Sequence, residues 1–344
     1  MIYLLVFGIG LLLAGGVTPL TIKLGQRWQL TDRPGGRRGH RGEISRLGGV
    51  ALFSGFVGTG LLIFVSNALW QWPVIGAEDY KLLSGVLLGS TAVFIFGLGD
   101  DRREFSAKPQ FLAQFGVALI AIAFDIIFQR VTLPIFGPYD FPLFITYPLT
   151  IFWVMGMMNT VNWLDGLDGL AAGVAAIAGL LFALHAYRLG QTTVALFPLA
   201  LAAACLGFLP FNFHPARVFM GSNGSMVLGF ALASLAILAP AKIATALLVL
   251  GIPIIDVAWL MIRRWHTRGN PMVAGRDHLH YRLLDLGFSQ RQIVIFYYTL
   301  CTGFGLLALF VADRLLKLLI LGGMAVITLL LLWWLARDED DVAA

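Results

Sequence analysis

Apolar runs of about 17 to 25 residues recur along nearly the whole chain, each long enough to cross a hydrocarbon core of roughly 30 Å as an α-helix. No other feature limits the fold so strongly, because a backbone immersed in lipid must satisfy its own hydrogen bonds. Barrel strands would leave shorter, alternating segments instead. Only 12% of the 344 residues are charged and 58% are hydrophobic, whereas a soluble domain carries about a quarter charged residues. The runs and the breaks between them predict an all-α polytopic integral membrane protein with about eleven transmembrane helices. They fall near 1–24, 47–69, 80–98, 111–129, 142–159, 168–187, 192–210, 225–239, 242–262, 292–312 and 315–336.

No long polar linker divides the chain, so residues 1–344 read as one integral domain. The first run lacks a basic n-region and a small-residue cleavage pattern, and reads as a retained span. Cys205 and Cys301 both lie in apolar stretches with no CxxC spacing, which makes them buried small hydrophobes rather than disulfide or zinc partners.

Charge sets the expected orientation. With the N-terminus outside, 18 of the 24 Lys and Arg residues fall on the inner side, including Arg27, Arg37, Arg46, Arg102, Lys108, Arg217, Arg264 and Arg276. The outer side then keeps Lys81, Arg130, Arg188, Lys242, Arg314 and Lys317. The positive-inside rule selects this arrangement, with a cytoplasmic C-terminus and a location in the plasma membrane. Almost every unusual polar cluster lies on the same inner side, in loops near 25–46, 99–110, 159–169, 211–224 and 263–291. Charge beside a bilayer is costly and is retained for a use.

The first inner loop, 32–49, is basic and reads first as a topogenic segment touching anionic headgroups. Its sharper reading gives Arg46, beside Gly48 and Gly49, a phosphate-binding role. In the second loop Asp100 and Asp101 stand side by side at a Gly-rich helix end, with Arg102, Arg103 and Lys108 nearby. Two adjacent carboxylates repel unless a cation or a shared proton relieves them, which makes the pair a functional candidate. The third loop places Asn159, Asn162, Asp165 and Asp168 three apart, near one face if the path is helical. Such a row offers oxygens to a hard cation or to a ribose and base, whereas its bland reading is turn chemistry. The last loop holds Arg276, His278, His280 and Arg282, a set that suits a diphosphate; His-x-His without a third ligand is a weak metal signal.

Taken together, the stretches 32–49, 97–108, 159–173, 211–229 and 277–292 resemble, in order and content, the polyprenyl-phosphate N-acetylhexosamine-1-phosphate transferase family. The segment Asp277 to Arg282 resembles the family's histidine-rich loop, with Tyr281 where a further histidine is common, and its form is closer to the N-acetylglucosamine-type branch. The resemblance implies transfer of a sugar 1-phosphate from a UDP-N-acetylhexosamine to a polyprenyl phosphate such as undecaprenyl phosphate, releasing UMP. It implies magnesium, with manganese as the alternative ion. Carried onto this sequence, Asp100 and Asp101 are the paired acids, Lys108 a phosphate contact, Asn162 a metal neighbour, and Asp165 and Asp168 nucleotide-side or catalytic acids. The implied partners are the two substrates and membrane lipid; nucleic acid is not among them, and homodimerisation is left open.

One position departs from the family pattern. In Phe219 to Ser225 the signature usually has aspartate directly after the first glycine, linked to magnesium, where this chain has Ser222 followed by Asn223. A hydroxyl is a far weaker cation ligand than a carboxylate, so the resemblance here implies a weakened magnesium shell, held by Asn162, Asp100, Asp101, Asp165 and substrate phosphates with Ser222 or Asn223 as a further neutral neighbour. Two other classes fit the sequence less well. A CDP-alcohol phosphotransferase would need a downstream Ala-Arg and spaced acids that Asp165-Gly166 and Asp168-Gly169 lack, and a transporter would place ionisable groups near the bilayer midplane.

Overall fold

A computed structural model describes residues 1–32, 42–133, 137–238, 241–268, 275 and 277–343. In chain order the elements are α1 (Ile2–Arg27), β1 (Thr31–Asp32), β2 (Ile44–Ser45), α2 (Gly48–Trp70), α3 (Ala77–Arg103), α4 (Ala107–Ala123), β3 (Arg130–Leu133) and β4 (Gly137–Asp140). They continue with α5 (Leu143–Leu164), α6 (Leu170–Arg188), α7 (Thr192–Asn212), α8 (Gly221–Ile237), α9 (Ala241–Val249), α10 (Gly251–Arg268), α11 (Leu279–Asp285), α12 (Gln290–Phe310) and α13 (Arg314–Ala343). The all-α polytopic architecture is therefore present.

Each of the eleven apolar runs lies on a helix or a helix pair, but they are unequal. By length and composition eight described helices suffice to cross a membrane, or nine if the bent pair formed by α9 and α10 is one span. The expected count of eleven is not reached on that criterion. The runs at 111–129 and 225–239 fall on α4 and α8, of 17 residues each, and 17 residues rise only about 25 Å at 1.5 Å per residue. The run at 242–262 breaks near Gly251 and bends by 73°. Pro253, in the first turn of α10, has no N–H to bond back to α9.

The spans follow lipid rules. In a bilayer, packing rather than expulsion of water holds helices together, and small residues allow close approach. Accordingly α6, α7 and α8 are lined by buried alanines, including Ala175, Ala178, Ala203, Ala204, Ala231 and Ala236. Several hydroxyls within the spans bond to the carbonyl one turn back, as Thr18 does to Ala14 (2.7 Å), Thr59 to Gly55 (2.6 Å) and Thr150 to Thr146 (2.8 Å), which keeps these donors satisfied away from water. Large exposed side chains such as Leu12, Ile95, Phe152, Ile327 and Trp334 form the outward face. Cys205 and Cys301 are free and buried.

At one end of the bundle sit the β3–β4 hairpin and a Lys81–Asp125 ion pair. At the other end the C-termini of α3, α5 and α7 meet the N-termini of α2, α6, α8 and α12. There β1 and β2 pair as Thr31 with Ser45 and Asp32 with Ile44, and Ser45 forms a parallel bridge to Val218. These short ladders tie the loop before α2 to the loop before α8.

Candidate active site

The site begins where α3 crosses α8. A Cβ at Gly97 would lie 2.4 Å from the Asn223 Cα, so only glycine lets the two backbones approach this closely. The contact carries Asp101, one turn further along α3, to the N-terminus of α8. The Ser222 N–H donates to Asp101 Oδ1 (2.7 Å), the Asn223 N–H donates to Oδ2 (3.0 Å), and the Asn223 side-chain amide also donates to Oδ2. No side chain from the start of α8 caps it, so the Asp101 carboxylate does. Such a cap contributes about 1 kcal/mol, and the helix dipole favours an anion there. Gly221 enters α8 at φ +68°, and a side chain on it would meet both Asp101 oxygens.

Asp100 faces the other way. Its Oδ1 accepts the Phe105 N–H (3.0 Å) and the Gln110 side-chain amide (3.0 Å), closing the turn between α3 and α4. The two adjacent acids thus avoid mutual repulsion by pointing at separate sets of donors. Lys108, in the first turn of α4, is exposed and has no ion pair among the described residues.

The row of residues at the end of α5 divides. Three residues turn an α-helix by 300°, so successive members of the row fall behind by about 60°. Asn159 accordingly turns to α4, where its amide donates to Gln114 Oε1 (2.7 Å) and to the Met155 carbonyl (2.7 Å). Asn162 faces α8 and donates to Ser225 Oγ (2.8 Å). The helix stops at Leu164, so Asp165 and Asp168 sit on a loop rather than on the continued helical face. Asp168 Oδ2 accepts from His214 Nδ1 (2.7 Å) and from the Ala216 N–H (3.1 Å). Arg291 in turn donates to the His214 carbonyl (3.1 Å).

Arg46, held by the β2–Val218 bridge, lies 3.4 Å from Asp32 and 2.9 Å from Glu104. In the last inner loop, Arg276 lies outside the described residues. His278 Nδ1 is 3.0 Å from Asp256 Oδ2, and the other Asp256 oxygen accepts the Leu279 N–H (3.0 Å), so one carboxylate both orients the histidine and caps α11. His280 stacks on His278 with ring centroids 5.6 Å apart. Burial, with the His278 charge adding to it, pushes the His280 imidazole down to about 3, so it is neutral at physiological pH. Arg282 donates to the Asp277 carbonyl (2.8 Å). Asp277 also pairs with Arg264; burial alone would raise its carboxyl, but the Arg264 hydrogen bond and charge outweigh burial and hold it below the usual range.

Arg46, Asp101, Asn162, Asp165, Asp168 and Ser222 all line one cleft of about 760 Å³. Asp100, Lys108, Asn159, Asn223, His278, His280 and Arg282 do not line it. Asn223 is fully buried beneath it, and His278, His280 and Arg282 are buried behind its wall, where Tyr281 presents its own ring. Asp165 is the electrostatic anomaly. Burial, then the nearby Asp101 carboxylate, then Asp168, push its pKa well above the ordinary carboxylate value. Among the described residues no donor reaches its carboxylate. A cation at this point would relieve three mutually repelling acids, so the donor set suits a hard, oxygen-preferring ion. Among the described residues, however, no three acidic, histidine or cysteine side chains form a ready-made metal shell. Magnesium does not demand one, since it keeps several waters and takes one or two carboxylates plus substrate phosphates.

Sequence reasoning did not single out Asp32, Gln110, His214, Asp256 or Arg291. His214 alone carried a usable signal, a histidine beside Pro215 in a loop already marked by its likeness to a family stretch.

Residues 83–240 match the family model described as glycosyl transferase family 4. The chain is 30% identical over 289 residues to a probable undecaprenyl-phosphate N-acetylglucosaminyl 1-phosphate transferase of Bacillus subtilis, covering 82% of this chain and 77% of that one. It is 30% identical over 289 residues to a decaprenyl-phosphate N-acetylglucosaminephosphotransferase of Mycobacterium tuberculosis, covering 75% and 70%. A third relative, the undecaprenyl-phosphate alpha-N-acetylglucosaminyl 1-phosphate transferase of Escherichia coli K12, is 28% identical over 284 residues, covering 79% and 74%. With its motif-bearing loops gathered around one polar cleft and these relatives spanning most of its length, the chain belongs to glycosyl transferase family 4, among the polyprenyl-phosphate N-acetylhexosamine-1-phosphate transferases.

Proposed function

We propose that this membrane protein transfers N-acetylglucosamine 1-phosphate from UDP-N-acetylglucosamine to a polyprenyl phosphate, undecaprenyl phosphate in a bacterial membrane, at the start of cell-envelope glycan assembly. The observation that carries the reading is the convergence of Arg46, Asp101, Asn162, Asp165, Asp168 and Ser222, from four separate loops, on one cleft. The relatives' own acceptors and sugar supply the acceptor class and the sugar of this reading. The 18-to-6 distribution of basic residues supports a cytoplasmic position for the cleft, with the N-terminus outside and the C-terminus inside.

In the reaction an oxygen of the lipid phosphate attacks the phosphorus that bears the sugar. The bond between that phosphorus and the bridging oxygen breaks, and UMP leaves with the bridging oxygen and its electron pair. The lipid phosphate is already ionised at neutral pH, so little general-base help is needed, and positioning and charge neutralisation dominate. Arg46 sits in the cleft as a fork-shaped donor for phosphate oxygens, and Lys108 is exposed, with no ion pair among the described residues, and can reach the same charge. Asp168, oriented by His214 and the Ala216 N–H, holds a fixed acceptor for the nucleotide or sugar hydroxyls. Asp100 and Asp101 fix the geometry of the α3 end while Asp101 keeps a carboxylate face on the cleft. The histidine-rich loop, with His278, His280 and Arg282, supports the diphosphate side of the cleft from behind.

Asp165, Asp101 and Asn162, with Ser222 as a neutral neighbour, are the residues that would hold magnesium, or manganese in its place. Bound there, the ion supplies charge neutralisation for the diphosphate. The test is UMP release from UDP-N-acetylglucosamine by purified protein with undecaprenyl phosphate, at graded magnesium. Acceptor-dependent UMP supports the reading; no UMP at any magnesium concentration overturns it.

A further inference from the structure

The loop from Asp165 to Gly169 carries two of the cleft's carboxylates, and each acid is followed directly by glycine, the residue whose backbone is least restrained. Local chain stiffness therefore cannot aim these carboxylates. Two tyrosine hydroxyls hold the loop instead. Tyr281, on α11, donates to the Gly166 carbonyl (3.2 Å), and Tyr298, on α12, donates to the Gly169 carbonyl (2.6 Å). Each bond thus fixes the carbonyl of the glycine that follows one acid.

The approach depends on missing side chains. A Cβ at Gly166 would lie 2.7 Å from the Tyr281 hydroxyl and 2.4 Å from His280 Nε2, and one at Gly173 would lie 1.9 Å from the Tyr298 hydroxyl. Both rings are themselves backed. Tyr281 packs on His280 with centroids 4.3 Å apart and reaches the cleft wall, while Tyr298 packs against the buried core. Two separate elements therefore grip one loop from two directions.

We propose that Tyr281 and Tyr298 are positioning residues that aim the Asp165 carboxylate into the cleft toward the cation position and the Asp168 carboxylate toward the nucleotide or sugar hydroxyls. The proposal rests on the phosphotransfer reading above and adds to it the device that orders its acids. Misplacing a reacting group by about 1 Å costs up to about a hundredfold in rate, so a loop held by two hydroxyls is a sensitive point. Arg46 and Lys108 hold phosphate oxygens from outside this loop, and a slackened loop still offers its acids to the bound ground state, so the larger effect falls on turnover.

The experiment replaces each hydroxyl alone, with Tyr281→Phe and Tyr298→Phe, and uses Tyr187→Phe, an exposed tyrosine at the far end of α6, as the control. Three quantities are read: kcat and KM for UDP-N-acetylglucosamine, hydrogen exchange of the 165–169 amides, and thermal unfolding. We expect kcat to fall about tenfold in each phenylalanine variant with KM within about twofold, and the loop amides to exchange faster with little change in unfolding temperature. The double variant should lose more than either alone. Wild-type kcat and wild-type loop exchange in both single variants overturn the proposal. If the unmodified protein makes no product, the phosphotransfer reading fails, and the exchange measurement still decides whether the hydroxyls hold the loop. If Tyr298→Phe does not fold, Tyr281→Phe, half-buried at the cleft wall, decides by the same three readouts.

Discussion

Asn223 meets the Asp101 carboxylate twice, through its backbone N–H at 3.0 Å and through its side-chain amide, while the neighbouring Ser222 N–H takes the other carboxylate oxygen. Asp101 is therefore a helix cap as well as a wall of the cleft, and its two duties are separable by measurement.

Replacing Asp101 with asparagine should lower turnover by at least about a hundredfold, the scale for losing charge stabilisation of a transferring phosphoryl group. It should also cost about 1 kcal/mol of stability through the weakened α8 cap. Asp100→Asn should cost similar stability through the α3–α4 turn but a smaller share of turnover, because Asp100 does not line the cleft. Steady-state kinetics and thermal unfolding of the two purified variants check both; equal turnover in the two would contradict the division of roles.

The fold was readable wherever long apolar runs met clear breaks, because the bilayer imposes length and internal hydrogen bonding directly on sequence. It was less readable at α4 and α8, whose apolar runs outlast their helices, and at Gly251, where a run continuous in composition bends by 73°. At the site, the loops were legible but the partnerships were not. Asp168 showed its chemistry in the sequence, yet its partner His214 lies 46 residues away, and their pairing becomes visible only where the loop before α8 folds back. Asn159 shared the spacing of Asn162 and still turned to Gln114, because a spacing of three drifts around the helix.

The acid cluster sets a pH dependence. Asp165 carries a raised pKa, caused by burial and then by the Asp101 and Asp168 charges. If its carboxylate form works in the reaction, kcat/KM rises as pH increases through that raised value. Asp168→Asn removes one repelling charge, so the Asp165 pKa falls and the acidic limb of the residual activity moves to lower pH. A limb that stays in place, or moves upward, would contradict the coupling.

His214, itself on the cleft wall, orients Asp168, so His214→Gln, which keeps a hydrogen-bonding group, should retain more turnover than His214→Ala. The alanine variant should lose about tenfold to a hundredfold in kcat. Identical, undiminished kcat in both would show that Asp168 needs no such support.

Ser222 lines the cleft at the first turn of α8, where an added carboxylate would face Asp165 and the helix N-terminus. In Ser222→Asp the magnesium concentration for half-maximal UMP release should fall severalfold, as a hard anionic ligand is added. Unchanged magnesium dependence, or loss of activity, would place the metal shell elsewhere.

The central claim is transfer of the sugar together with one phosphate, and donor labelled with radiophosphorus in its β-phosphate tests it most directly. Purified protein is incubated with this UDP-N-acetylglucosamine, undecaprenyl phosphate and magnesium, and the label is followed between the lipid and aqueous phases while the released nucleotide is identified. The account predicts acceptor-dependent movement of the label into lipid with stoichiometric UMP. Label remaining in water as UDP while the sugar alone reaches the lipid would contradict it, as would no transfer at all.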